Sequence, residues 1–139
     1  MQIARRWGRQ EGATLMEALV AILIFSIGIL ALVALQAASV KNASMARYRT
    51  EASLLADDVV GQMWGDDKTT ATLQANYNSP SGAKFQNWKA QVEATLPGAT
   101  ANPPTIVVGA DNLVTVTVQW QAPGETSPHN FVLVNQIRS

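Results

Sequence analysis

Cysteine is absent from this 139-residue chain, and histidine occurs once, as His129. The lack of cysteine excludes disulfide bonds, thiolate metal ligands and cysteine nucleophiles. Charged residues make up only 14% of the chain, and its formal net charge is zero. No cluster of Lys and Arg forms the basic face that nucleic acid requires. We therefore expect no nucleic-acid partner.

The sequence also lacks the patterns that carry catalysis, since no phosphate-binding loop or nucleophile–base pair is present. Two pairs of adjacent acids occur, Asp57 with Asp58 and Asp66 with Asp67. Neighbours on a helix do not face each other, so we interpret these pairs as solvated charges. His129 falls in a predicted turn and is expected at the surface. We predict no enzyme activity, no metal site and no cofactor.

What the chain does contain is a long apolar run, residues 18–35, with the sequence ALVAILIFSIGILALVAL. A run of this length is a candidate membrane-spanning helix. The uncharged stretch continues to Val40 and would form about 34 Å of helix. Three arginines precede it within the first twelve residues. The positive-inside rule therefore places residues 1–12 in the cytoplasm and residues after about Lys41 across the inner membrane.

Glu17 stands at the front of this run, where an acid is costly because its charge leaves water. A plain single-span anchor explains the length of the run but neither Glu17 nor Gly12. A secretory signal peptide has a shorter apolar core and a small-x-small cleavage site at its end, which "LVA" and "LQA" match poorly.

The residues around Glu17 resemble the class III signal of type IV prepilins and type II secretion pseudopilins. The resemblance rests on Gly12-Ala13-Thr14-Leu15-Met16-Glu17, followed by ALVAIL. It implies that a prepilin peptidase cuts between Gly12 and Ala13 and methylates the new amine of Ala13. Members of the family most often begin the mature chain with Phe, so Ala13 is a departure. Gly12, which lacks a Cβ, would allow the peptidase to approach the backbone closely.

After this cut Glu17 becomes the fifth residue of the mature chain. The resemblance implies that its carboxylate meets the amino terminus of a neighbouring subunit within the apolar core of a filament. An unpaired charge is strongly disfavoured there, so the pair would set the axial register of each incoming subunit. Glu17 also lies near a helix N-terminus, where the macrodipole favours an anion.

The next segment predicts an amphipathic continuation of the same helix to about residue 64. Its apolar residues are spaced by three or four: Met45, Tyr48, Ala52, Leu55, Val59 and Met63. This segment resembles PilV-type minor pilins at Leu35-Gln36, Ala46, Arg49, Ala52, Leu55-Ala56, Asp58 and Met63. It departs from them near its end, where Gly61-Gln62-Met63-Trp64 replaces the usual Asp-Arg-Met-Arg.

The remainder predicts a small α+β head. Residues 66–84 have the composition of an irregular connection. Phe85, Trp88, Val92 and Leu96 predict a short helix over 83–96. Alternating and β-branched stretches predict strands at 105–108, 113–121 and 130–137. We expect an antiparallel sheet of three or four strands on the second half of the long helix, with Trp64, Trp88 and Trp120 in core or interface positions. Trp7 would leave with the leader.

The sequence thus predicts four segments: a leader (1–12), a membrane or filament-core helix (13–40), its amphipathic half (41–65) and an α+β head (66–139). The resemblance implies a minor pilin that helps prime a type IV pilus at or near its tip. Its expected partners are the prepilin peptidase, inner-membrane lipid, other minor pilins and the major pilin. A minor pseudopilin of type II secretion is the alternative, and an uncut, membrane-anchored periplasmic binding module is a more distant one.

Overall fold

The computed structural model describes residues 11–138, so residues 1–10 of the predicted leader, including Trp7, lie outside the described part. The chain forms three helices and then three strands. Their bounds are α1 Glu11–Gly65, α2 Thr70–Tyr77, α3 Ala83–Thr95, β1 Thr105–Val108, β2 Leu113–Trp120 and β3 His129–Gln136. The chain divides into two compact units, one ending at Ala43 and the other beginning at Ser44.

Helix α1 has 55 residues and contains no proline. Ser26 does not interrupt the helix, because the Ser26 hydroxyl donates a hydrogen bond to the carbonyl oxygen of Ile22 at 2.7 Å. The apolar first half is exposed on all sides within the chain, as Leu23 (60%) and Phe25 (69%) illustrate. Among the described residues, α1 is the one helix long and apolar enough to cross a membrane.

The second half of α1 buries one face in the core of the second unit. Ala52, Val59 and Met63 are fully buried, and Leu55 is 7% exposed. Tyr48 packs against this core from a half-buried position. The three-to-four spacing of apolar residues therefore identified the buried face of the helix, because such residues share one side of it.

Helix α2 corrects the prediction that residues 66–84 form an irregular connection. The helix is short, and Leu73 and Tyr77 are its buried residues. Its start is stabilised by Asp67, whose carboxylate accepts a hydrogen bond from the backbone N–H of Thr69 at 3.0 Å. A helix this short is not stable alone, so packing of Leu73 and Tyr77 on the core stabilises it.

The sheet has the order β1-β2-β3, and both pairs of strands are antiparallel. Ile106, Val114, Val116 and Val118 are buried on one face of it. They belong to the same apolar cluster as the buried faces of α1 and α3. Within that cluster, the indole N–H of Trp88 donates to the carbonyl oxygen of Leu55 at 2.8 Å and links α3 to α1. The predicted α+β architecture is confirmed.

Three tryptophans and one histidine refine the predictions for the head. Trp88 and Trp120 are core residues, each 2% exposed, whereas Trp64 is 41% exposed and does not belong to the core. His129 is the first residue of β3 rather than part of a turn. Its ring stacks on Trp120, and its Nε2 lies 2.5 Å from the carboxylate of Glu125.

Candidate processing and assembly site

The predicted processing site lies at the N-terminal end of α1. Gly12 and Ala13 are both exposed. No atom outside the neighbouring helix backbone lies within 4 Å of the position that a Cβ on Gly12 would occupy. A larger side chain at Gly12 would therefore meet no obstacle among residues 11–138.

Glu17 lies one helical turn beyond Ala13, because residues four apart are neighbours on a helix surface. Its side chain is exposed, and it forms no ion pair with any other residue in the described part of the chain. Its neighbours along α1 are exposed apolar residues, including Leu15 (66%), Met16 (62%) and Leu19 (56%). Whatever covers this apolar surface must also accommodate the carboxylate.

A second charged cluster lies at the other end of α1. The hydroxyl of the buried Tyr77 donates a hydrogen bond to the carboxylate of Asp66, and Nζ of Lys84 lies 2.5 Å from the same carboxylate. Hydrogen bonds from Lys84 and Tyr77 hold the pKa of Asp66 below its ordinary value of 3.8. Burial, followed by the bond to Asp66, raises the pKa of Tyr77.

The sequence-based interpretation of Asp66 as a solvated charge is wrong. Asp66 instead joins the end of α1 to α2 through Tyr77 and to α3 through Lys84. No local pattern could indicate this, since the partners are 11 and 18 residues away. Lys84 neutralises the carboxylate and Tyr77 hydrogen-bonds to it, so the cluster is suited to holding helices together rather than to proton transfer.

The described residues also contain no group of three or more His, Asp or Glu side chains placed to hold a metal ion. The chemistry available near the N-terminus is therefore that of one carboxylate on an apolar helix, one turn from a potential new amino terminus. An amine and a carboxylate attract strongly when both are removed from water.

Comparison with known proteins gives a match in this same N-terminal region of the chain. The family model for the prokaryotic N-terminal methylation motif matches residues 7–33. Neither the curated proteins nor the solved structures gave a match to this chain. The matched range contains Gly12, Ala13 and Glu17 and ends within the apolar run. It supports the predicted class III signal, and with it a pilin or pseudopilin processed by a prepilin peptidase.

Proposed function

We propose that this chain, which carries a prepilin-type methylation motif, is a minor pilin of the PilV type. In this role it is incorporated into a type IV pilus and helps prime pilus assembly at or near the tip. The observation that carries the proposal is a single carboxylate, Glu17, on a bare apolar helix within the matched motif. The proposed mechanism is assembly rather than catalysis.

Processing begins with the leader, residues 1–12, in the cytoplasm. The prepilin peptidase cuts between Gly12 and Ala13 and methylates the amine of Ala13. Residues 13–40 stay in the inner membrane and later enter the filament core. Residues 41–65 continue α1 into the head, which comprises residues 66–139 and lies first in the periplasm and then on the pilus. The exposed apolar half of α1 supports this assignment. An apolar surface of this size is unfavourable in water and is typical of a membrane or protein contact.

Glu17 gives the assembly step its register. During assembly the exposed side chains of α1 move from lipid to the apolar flanks of other helices. A carboxylate in these surroundings needs a cationic partner, because an unpaired buried charge is strongly disfavoured. The methylated amine of a neighbouring subunit supplies one, and a subunit placed out of register leaves both charges unmatched.

The assignment to a pilus rather than to a secretion system rests on residues 46–58. This stretch carries Arg47 and Arg49 and resembles PilV-type minor pilins. A minor pseudopilin of type II secretion has the same N-terminal physics and is the second candidate function. Genes for twitching motility beside this gene favour the pilus, whereas a secretion operon favours the pseudopilin.

Mass analysis of the N-terminus in sheared pili tests the proposal. We expect a mature chain that begins with methylated Ala13. Gly12→Val should leave the leader attached, because a β-branched side chain blocks the close approach of the peptidase. Gly28→Val is the matched control, since Gly28 also has no atom within 4 Å of an added Cβ and lies away from the cut. An intact Met1 in the native protein would refute the proposal.

A further inference from the structure

The two edges of the sheet differ in whether other parts of the head form hydrogen bonds with their backbone. At the β1 edge, the carbonyl oxygen of Ile106 accepts hydrogen bonds from the backbone N–H and the hydroxyl of Ser79, both at 3.0 Å. The N–H of Val108 donates to Oδ1 of Asn78 at 2.7 Å, and its carbonyl oxygen accepts from Nε2 of Gln74 at 2.9 Å. Helix α2 and the residues after it therefore cap this edge.

The β3 edge has no such cap. The N–H of Ile137 donates to the carbonyl oxygen of Asn112 at 3.0 Å, so the odd-numbered residues of β3 bond to β2. In an antiparallel pair the alternate residues direct their N–H and C=O groups away from the partner. These residues are Asn130, Val132, Val134 and Gln136. No hydrogen bond from the described part of the chain reaches their backbone groups.

The side chains of β3 present no barrier to pairing with another strand. No charged residue lies between His129 and Arg138. Val132 is 49% exposed and Val134 is 56% exposed on the outer face. Proteins usually protect a free edge with Lys, Pro or a bulge, and β3 has none of these. The edge is therefore an open template for another strand.

A groove lies beside this edge, and the charge of its lining indicates which kind of segment could bind there. It is lined by Phe131 of β3 and by Ala46, Arg49, Thr50, Ser53 and Leu54 of α1. Arg47, nearby on α1, is paired with Glu51 at 2.8 Å. Arg49 is exposed and has no ion pair within residues 11–138. An occupant that carries a carboxylate would complement it.

Pairing with β3 of a second copy of the chain does not meet these requirements. β3 contains no acidic residue, so a paired β3 from another copy offers nothing to Arg49. Antiparallel pairing of two β3 edges would also place a two-fold axis perpendicular to the sheet. Because α1 packs on the inner face, the α1 segments from Ser44 onward would run in opposite directions. Subunits that follow one another in a single filament share one orientation, so their equivalent segments would not run in opposite directions.

We propose that the β3 edge binds, by β-strand addition, an extended segment of a different pilin-type subunit, and that a carboxylate on this segment pairs with Arg49. Strand addition uses backbone hydrogen bonds for affinity and the alternate side chains for selectivity. The inference rests on the proposed function, because it takes the partner from proteins that enter the same filament.

Co-expression with defined partners tests the edge. The probes are the other proteins of the source genome that carry the methylation motif, each co-expressed singly, with an affinity tag, alongside the full-length chain in membranes. We expect at least one to retain the wild-type chain, and Val134→Lys to reduce retention about tenfold or more. Val107→Lys is the matched control, because Val107 is 57% exposed and faces Thr115 in the same row as Val134. It should bind as wild type does.

The charge is tested separately with the same partner. Arg49→Glu should weaken retention, and changing one acidic residue of the bound segment to Arg should restore it. Arg47→Glu should have the smaller effect, because Arg47 already pairs within its own helix.

Disulfide mapping tests the strand geometry, since the chain has no cysteine of its own. Val134→Cys should cross-link to cysteines placed at alternate positions of the partner segment, because successive side chains of a strand face opposite sides.

Three results would overturn the inference: no pilin-type partner retained, equal loss with Val134→Lys and Val107→Lys, or cross-links without a two-residue period. The N-terminal mass separates this failure from failure of the proposed function. A chain that is correctly cut at Ala13 and present in pili, yet insensitive at β3, refutes only the inference. A chain that keeps its leader refutes the proposed function.

Discussion

Glu17 is the residue on which the proposed assembly mechanism depends. Glu17→Gln keeps the size and polarity of the side chain but removes its charge. We expect normal cleavage and membrane insertion, and at least about tenfold less of the chain in sheared pili. The reason is that the methylated amine of a neighbour would be buried without a partner, at a cost of several kcal/mol. Quantitative blotting of membrane and pilus fractions measures this.

Ser26→Ala is the control for that experiment. It also changes a polar residue of the apolar helix, but its hydroxyl only bonds to the helix backbone. Equal amounts of Glu17→Gln and wild-type protein in pili would contradict the proposed register mechanism.

The ion pair of Asp66 leads to a prediction about the free energy of unfolding and its dependence on pH. Asp66→Asn should lower the free energy of unfolding at pH 7 by about 1 kcal/mol, a modest value because the ion pair with Lys84 is partly exposed. The folded pKa of Asp66 lies below 3.8. Its contribution is therefore complete above that value and is lost as the pH falls through the folded pKa. Urea unfolding followed by tryptophan fluorescence at several pH values measures the difference.

Asp57→Asn is the matched comparison, since Asp57 is an exposed acid within α1, the helix that Asp66 follows. It should change the free energy of unfolding by less than about 0.5 kcal/mol. If the difference between Asp66→Asn and the wild type does not shrink as the pH falls below 3.8 and through the folded pKa, the cluster does not act through the charge of Asp66.

At the scale of elements, the turn between α2 and α3 depends on Gly82. A Cβ at this position would lie 2.4 Å from the backbone carbonyl oxygen of Asn76. Because that atom belongs to the backbone of α2, it cannot move without shifting the helix. We expect Gly82→Ala to lower the free energy of unfolding by roughly 2 kcal/mol, measured by thermal or urea denaturation.

Gly61→Ala is expected to have the opposite sign. Gly61 is exposed within α1, and an added Cβ would meet nothing within 4 Å. Alanine in a helix interior is favoured over glycine by about 0.5–1 kcal/mol. A Gly82→Ala variant as stable as Gly61→Ala would show that the close approach of α2 and α3 is not needed.

Elements differed in how far local pattern could predict them. α3, β1, β2 and β3 begin and end within one residue of their predicted bounds, because each repeats an apolar residue at the period of its own structure. α2 was missed because TATLQANY has only two core residues, Leu73 and Tyr77, four positions apart. That spacing is the one local signal, and it is too short to distinguish a helix from a polar connection.

At the scale of the whole molecule, the second unit should fold without the first half of α1. Its core is drawn from Ala52 to Ile137, and none of residues 11–43 belongs to it. We expect a fragment of residues 44–139 to unfold cooperatively, with a far-UV spectrum that contains both helix and sheet. Circular dichroism with thermal denaturation measures this.

A fragment of residues 66–139 is the control and should not fold. It lacks the buried side chains that α1 contributes: Ala52, Leu55, Ala56, Val59, Val60 and Met63. Loss of so much buried apolar surface exceeds the stability of a small domain. Cooperative unfolding of this shorter fragment would contradict the core described above.

The sequence alone determined the long helix, its apolar and amphipathic halves, and the later elements other than α2. It also predicts the position of the candidate processing site. These properties depend on residue type and on spacings of a few positions, which a chain displays before it folds. The class III signal could be predicted for the same reason, since Gly12, Ala13 and Glu17 lie within six consecutive residues.

Only the tertiary structure decided that Asp66 is paired with Tyr77 and Lys84, that α2 forms, and that one edge of the sheet is capped while the other is open. Each of these depends on groups that are distant along the chain and meet only when the core packs. The cap on β1 joins residues about 30 positions apart. No periodicity records such a contact, because it arises from the geometry of packing and not from local preference.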